Sequence, residues 1–354
     1  MEHDFLNLRY NIASNQYTKF ISTFGNINMY ASYLSISIPV LLAVFAFCRN
    51  WFSRILSGIL LIAAGCNILI ANSDSVFLGI FAGVVVVTIL AFMQGRLRYS
   101  SFAVFLLFVG NLVLGFINKY GHTRYDKKRG GLAIALNRLD IAFVLCGAAL
   151  LVFAVVCVCN WKLGTRVAAW NKKKIVLIVC GACVALGVIG IIVLAVTGSS
   201  LLTFNDKWGS YRGYIWRKIV EVYGDAPFVN KLFGYGNESV RVTLKAACYN
   251  EMVQVTGKVY DNAHNELLQY LFTTGIVGLL SYLALVGSSI VYMFKHAKEH
   301  AWISVCLAAT VGYFAQSILN LNQPITTPLF FVFMAMGVGT VNYCRRVKEL
   351  EKRA

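Results

Sequence analysis

Long apolar stretches with hardly a charge recur along this chain, at about 31–48, 55–72, 76–94, 101–118, 139–159, 175–197, 267–294, 301–319 and 328–344. Most run to roughly 18 to 24 residues, the length an α-helix needs to cross a hydrocarbon core about 30 Å thick. Backbone groups in lipid must find partners within their own segment, so the pattern predicts nine transmembrane helices. A barrel would need strands of about ten residues alternating apolar and polar, and no such alternation occurs. The stretch 267–294 exceeds one crossing; Gly275 and Gly278 interrupt it, which predicts a short interfacial helix ahead of the span.

The expected fold class is therefore all-α, a polytopic transmembrane bundle with a large helical extracytoplasmic loop before its last three spans. Its parts are an outer N-terminal segment (1–28), six spans (29–197) with a basic outer loop at 119–138, the large loop (198–265), three spans (266–344) and a basic cytoplasmic tail (345–354). Composition agrees: 58% of the 354 residues are hydrophobic and 13% charged, about half the roughly 25% charged usual in soluble chains. An ordinary soluble enzyme is excluded.

Charge then sets orientation. The net charge is 32 − 15 = +17, yet neither a zinc-finger spacing nor a basic helix interleaved with stacking aromatics is present, so nucleic acid is not an expected partner. Short cytoplasmic loops carry an excess of Lys and Arg, and the tail RRVKELEKRA places the C-terminus inside. Alternating back from it puts 16 basic residues in roughly 44 inner positions and the other 16 in roughly 127 outer ones. Fourteen of the outer set fall in 119–138 and 198–265. The first of these holds Lys119, Arg124, Lys127, Lys128, Arg129 and Arg138 against Asp126, and reads either as a solvated loop or as a basic rim that gathers an anionic lipid-linked substrate.

Nine of the ten cysteines lie in or at the ends of spans and only Cys248 falls in an outer loop, which implies no disulfide framework. Cys180 and Cys183 form CxxC inside an apolar helix and read as packing residues. His296 and His300, four apart in KHAKEH, do not fit a zinc-protease pattern. No metal site and no cofactor are expected.

Chemistry is expected in the large loop. Aromatic, apolar and basic residues alternate at helical spacing along SYRGYIWRKIVEVYG, predicting a helix over about 210–223 lying on the membrane face, with Tyr211, Tyr214 and Trp216 as interfacial packing. Arg212 and Arg217 differ, because a guanidinium suits bidentate capture of phosphate. A second helix is expected near 241–255. Gly234 and Gly236 in FGYGN read as turn residues. The stretch DNAHNELLQYL looks like a helix start, with Asp261 or Asn262 as N-cap, Asn265 as further cap support and Glu266 in the first turn. His264 then sits at the positive end of the helix dipole, which favours a neutral imidazole. Such a histidine is a good general base, although a lone histidine at a helix start is more often structural, and both readings stand.

FGNINMYASYLSISIP before the first span, YRGYIW and KLFGYGNES in the loop, and DNAHNELLQYLFTTGIVGLLSYL together resemble the O-antigen ligase and O-antigen polymerase superfamily. The resemblance covers about residues 24–344, and order and spacing around one outer loop carry it more than any single motif. Family members have further spans ahead of the GNxN segment, so the chain is read as N-terminally shortened, with Met1 as an internal start. The resemblance implies a plasma-membrane glycosyltransferase acting outside the cell. Glycan would pass, with inversion and without a metal, from a polyprenyl-diphosphate carrier to a hydroxyl of a glycan, lipid or protein acceptor. By motif match His264 would deprotonate the acceptor and Arg212 would hold the diphosphate. The family's arginine at the outer start of a span would be Arg138 in ALNRLDIAFVL; the competing match, ANSDSVFLGIFAG, puts Asp74 there, which could not bind diphosphate. Arg217, Arg241 and Lys245 are weaker candidates that read first as solvated surface charges.

Two other readings stay open. A lipid-linked oligosaccharide flippase would also need many helices and basic residues, but should carry ionisable groups within its spans, which here are nearly bare. An inactive, shortened paralogue would keep only the fold.

Overall fold

A computed structural model describes residues 24, 26–71, 73–120, 136, 138–168, 175, 205–320 and 324–353. Among them every regular element is an α-helix: α1 Ile27–Phe47, α2 Trp51–Ala71, α3 Asp74–Met93, α4 Leu97–Tyr120, α5 Leu139–Ala168, α6 Trp208–Gly224, α7 Phe228–Phe233, α8 Ser239–Thr256, α9 Glu266–His296, α10 Ala301–Ser317 and α11 Thr327–Arg353. Seven are long and apolar enough to cross a membrane, and α10 is a shorter apolar helix. Eight of the nine expected spans thus coincide with a helix; the span expected at 175–197, and with it the CxxC pair, lies outside the described residues. The protein is a multi-pass, all-helical membrane protein.

The chain divides into two compact units. The first holds α1–α5, the end of α9, α10 and α11. At its centre stands α1, which packs on α2, α3 and α10 and is 72% buried over its apolar window, against 11% for α5. In lipid there is little hydrophobic force between helices, so association relies on close packing of small residues and on interhelical hydrogen bonds. Both are present. A Cβ on Gly79 of α3 would lie 2.6 Å from Ser35 Oγ of α1 and 2.7 Å from the Gly312 carbonyl of α10, so the three backbones meet where no side chain fits. Beside that contact, fully buried Ser32 donates to Gln316 Oε1 (3.2 Å), and Gln316 Nε2 donates to Ser75 Oγ (3.3 Å), tying the same three helices.

The second unit comprises α6, α7, α8 and α9 up to Gly287. Its core is made by Tyr214, Ile215 and Ile219 of α6, Val240, Leu244 and Met252 of α8, Tyr260 and Ala263 of the connecting loop, and Phe272 of α9. Helix α6 spans nearly the expected range, but not in the expected setting. Tyr214 is fully buried in this core rather than interfacial, since its helix has neighbours to pack against on that face. The expected break in the ninth element is real: α9 departs from helical geometry at Gly275 (φ 67°, ψ −172°).

Gly312→Val places a branched side chain where a Cβ already comes within 2.3 Å of the Ser35 carbonyl, and overpacking of this kind costs about 1–3 kcal/mol. Thermal unfolding in detergent should show a clear loss of stability for this variant. Gly147→Val, with nothing within 4 Å of its Cβ, should match the wild type.

Candidate functional site

The loop Tyr260–Asn265 between α8 and α9 is held by hydrogen bonds that leave it little freedom. Asn265 is the N-cap of α9: its side chain accepts from the Leu268 N–H (3.0 Å) and its carbonyl from the Gln269 N–H (2.9 Å). The cap thus lies three or four residues beyond the expected Asp261 or Asn262. Asn262 caps a tighter turn instead, accepting from the His264 N–H (3.1 Å), while its amide donates to Asp261. Ala263 is gripped on both sides: its N–H donates to Gln269 Oε1 (2.9 Å) and its carbonyl accepts from the Trp216 indole of α6 (2.8 Å). Between these anchors His264 adopts φ 48°, a left-handed conformation that costs a non-glycine residue of order 1–3 kcal/mol and persists only where the surroundings over-determine it.

Arg212 is presented by an equally unusual turn. At the start of α6, Gly209, Ser210 and Tyr211 are all left-handed (φ 58°, 61° and 70°), so the regular helix begins only at Arg212. The arginine stem folds back over Gly209, where a Cβ would lie 3.2 Å from Arg212 Cδ. Tyr260 joins the two features. Its hydroxyl donates to the Ser210 carbonyl (2.9 Å), and its ring meets the His264 imidazole edge to face at 5.8 Å.

Electrostatics follow from this placement. Burial pushes the His264 imidazole down to about 4; the positive charges of Arg212 and then Lys258 push the same way, and Asp261 opposes them. Withdrawal from water disfavours the charged form, and nearby cations do so again. Sequence reasoning assigned a neutral histidine to the helix dipole; in the structure burial and Arg212 are the main causes. Its Nδ1 is buried without a hydrogen-bond partner among the described residues. The Glu266 carboxylate, opening α9, is completely buried.

The other candidate cations are placed differently. Arg217 is engaged by carboxylates: two bonds to Asp206 (3.0 and 2.8 Å), one to Glu221 (2.8 Å), and Glu251 at 3.8 Å. The Arg217 guanidinium holds the Asp206 carboxyl below its usual range, and Lys218 first, then Arg217, do the same for Glu221. Lys218 extends the network to Glu221 and Glu251. Arg217 is therefore engaged in ion pairs within the unit, an engagement its i,i+4 spacing to Glu221 could have signalled. Arg241 and Lys245 are exposed on α8. In the first unit Arg138 is exposed, with its guanidinium bidentate on Asp140 (3.2 and 2.7 Å). The side chain of Asp74 lies outside the described set.

Sequence reasoning missed three contributors. Gln269 stood in a quoted motif and Tyr260 just ahead of it, neither with a role, and Trp216 was read as interfacial although its indole holds the histidine loop. The pairing of α6 with the loop reveals Tyr260 and Trp216, and the turn from Ala263 into α9 reveals Gln269.

FGYGN serves the same region. Where α9 breaks, the Phe272 and Thr273 carbonyls accept from the N–H groups of Tyr235 and Gly236 (both 3.0 Å). Gly234 and Gly236 have φ 78° and 97°, as turn residues should. A Cβ on Gly234 would strike the Thr273 backbone at 2.3 Å, and one on Gly275 the Leu232 carbonyl at 2.2 Å.

Residues 130–283 match the model of a family described as O-antigen ligase. The stretch runs from before α5 into α9 and includes Arg138, Arg212 and His264, so the resemblance to the O-antigen ligase and polymerase superfamily is supported over the loop that builds this site. A comparison with curated proteins gives no match.

Trp216→Phe keeps an aromatic ring and removes the indole donor to Ala263. The His264 imidazole should then titrate well above 4, toward 6.5, read by NMR of ring-labelled histidine; an unmoved titration would show that the indole does not hold the loop.

Proposed function

We propose that this membrane protein of O-antigen ligase or polymerase type transfers glycan from a polyprenyl-diphosphate carrier to an acceptor hydroxyl, with its second unit outside the cytoplasm. The observation that carries the reading is a histidine kept neutral by burial and by the charge of Arg212, with Tyr260 bridging the turns that present the two, inside the stretch that matches the ligase family. His264 takes the proton of the acceptor hydroxyl. The oxygen attacks the anomeric carbon from the face opposite the diphosphate, forming the new glycosidic bond as the carbon–diphosphate bond breaks, with inversion. Polyprenyl diphosphate departs with the electron pair, and the proton on His264 passes to water.

Arg212 suits the leaving group. A guanidinium offers paired donors to phosphate oxygens and stays charged, and fixed charge facing a developing anion is commonly the largest catalytic contribution. Its field also favours the unprotonated histidine. One cation thus supports both halves of the reaction, and the proposed chemistry needs no metal.

The decisive assay is transfer from a labelled polyprenyl-diphosphate oligosaccharide by purified protein in detergent with chelator. His264→Ala should abolish product without loss of folded protein. Arg212→Lys should lower kcat/KM by at least about 100-fold, on the order of one lost transition-state donor. Arg217→Gln should lower thermal stability and leave the donor KM unchanged. Wild-type product from either of the first two variants overturns the site.

Because His264 is unprotonated above about pH 4, kcat/KM should hold as pH falls through 6.5 and decline only near 4. Stability responds oppositely: the unfolded histidine gains its proton below 6.5 while the folded one resists until about 4, so this residue weakens folding progressively across that window. An acid limb centred at 6.5 would mean that burial and Arg212 do not hold the catalytic imidazole neutral.

A further inference from the structure

We propose that α7 is a lipid-dipping anchor, seating the second unit on the bilayer surface beside the point where α9 enters it. This inference does not depend on the glycosyl-transfer reading. Helix α7 is a single turn and a half, FVNKLF, between Pro227 and Gly234. At 100° per residue Phe228, Leu232, Val229 and Phe233 share one face about 140° wide, with Asn230 and Lys231 opposite.

That apolar face is not used in the core of the unit. Phe228, Val229 and Phe233 are 73%, 65% and 62% exposed, whereas α6 and α8 each bury three residues completely in that core. Two large aromatics and a valine left in water on one short helix forgo the burial that stabilises such side chains. The local fold nevertheless holds them in place: Tyr223 donates to the Lys231 carbonyl, and Asn230 Nδ2 to the Gly234 carbonyl (3.1 Å).

What covers the face follows from what α7 touches. Its Leu232 carbonyl lies against Gly275, where α9 breaks, and the residues after it pair with the Phe272 and Thr273 carbonyls. Beyond the break, α9 runs on as a membrane-length apolar helix whose Ile276, Val277 and Leu280 are 41%, 45% and 57% exposed. The C-terminal end of the α7 face, at Leu232 and Phe233, therefore abuts the break where the first exposed turn of a span begins. An apolar surface continuous with a lipid-facing span, bearing aromatics and with a lysine on its polar side, is the chemistry of the interfacial zone. The sequence had pointed instead to α6 as the membrane-face helix; α6 directs Tyr214, Ile215 and Ile219 into protein.

The test uses the full chain in phosphatidylcholine–phosphatidylglycerol vesicles, with p-benzoylphenylalanine replacing Phe228, Phe233 or, as a control, exposed Asn250 of α8. Irradiation followed by mass spectrometry should give phospholipid adducts at 228 and 233 at least several-fold above position 250. A second measurement avoids the unnatural residue. In Phe233→Trp, the fluorescence added over wild type should be quenched by lipid brominated near the headgroup more than by lipid brominated near the chain end. Adducts to a second copy of the chain, lipid adducts no higher than at 250, or added fluorescence untouched by brominated lipid would each overturn the anchor.

Discussion

A helix that stops inside one element leaves carbonyls needing donors, and the second unit is organised around one such stop. At Gly275 the turn of α9 is interrupted, and the N–H groups of Tyr235 and Gly236 supply the Phe272 and Thr273 carbonyls. A backbone approach that close requires glycine on both strands, which explains Gly234 and Gly275 together. The Ile276 amide beyond the break faces the Tyr223 hydroxyl of α6, which in turn donates to α7. Three helices are thus fastened to one interruption, and the stacking of Tyr235 on Phe272 (4.9 Å) continues the joint into the core.

The amino-terminal half of the broken helix then has a fixed start. Asn265 caps it, Gln269 reaches back to Ala263, and Trp216 holds the other side of the same peptide. Backbone strain accumulates on both sides of the site, at His264 and along Gly209–Tyr211, and Tyr260 spans the two. Strain in a well-packed region is tolerated only when the surroundings over-determine it; here the bonds come from Trp216, Gln269, Asn262 and Tyr260, beside a core of nine buried residues. The arrangement keeps the imidazole neutral through burial first and a neighbouring guanidinium second, so positioning and protonation state have one structural origin.

The first unit follows a different rule. Its helices are apolar nearly all round, so hydrophobicity cannot tell them how to pack. Specificity is left to contacts such as Gly79 and Gly312 against Ser35, and to hydrogen bonds such as the Ser32–Gln316–Ser75 chain. Those residues looked unremarkable in sequence, because a serine or glutamine within a span acquires meaning only from the helix it faces.

The sequence by itself determined the class of protein and the places of its helices, because hydrocarbon thickness and backbone hydrogen bonding leave an apolar run of about twenty residues one solution. It determined the interruption at Gly275, and it singled out Arg212 and His264 through motifs that survive in linear order. Tertiary structure alone decided which cations stand where. Arg212 and Arg217 share one helix and similar local chemistry, yet Arg217 meets Asp206 and Glu251 from distant positions, while Arg212 influences Tyr260 and His264. It also decided that Tyr214 is core, that Trp216 is a clamp, and that the cap of α9 is Asn265 rather than Asp261 or Asn262. Composition and period reveal that a residue can bond or bury; its partner is fixed only when segments far apart in the chain are brought together.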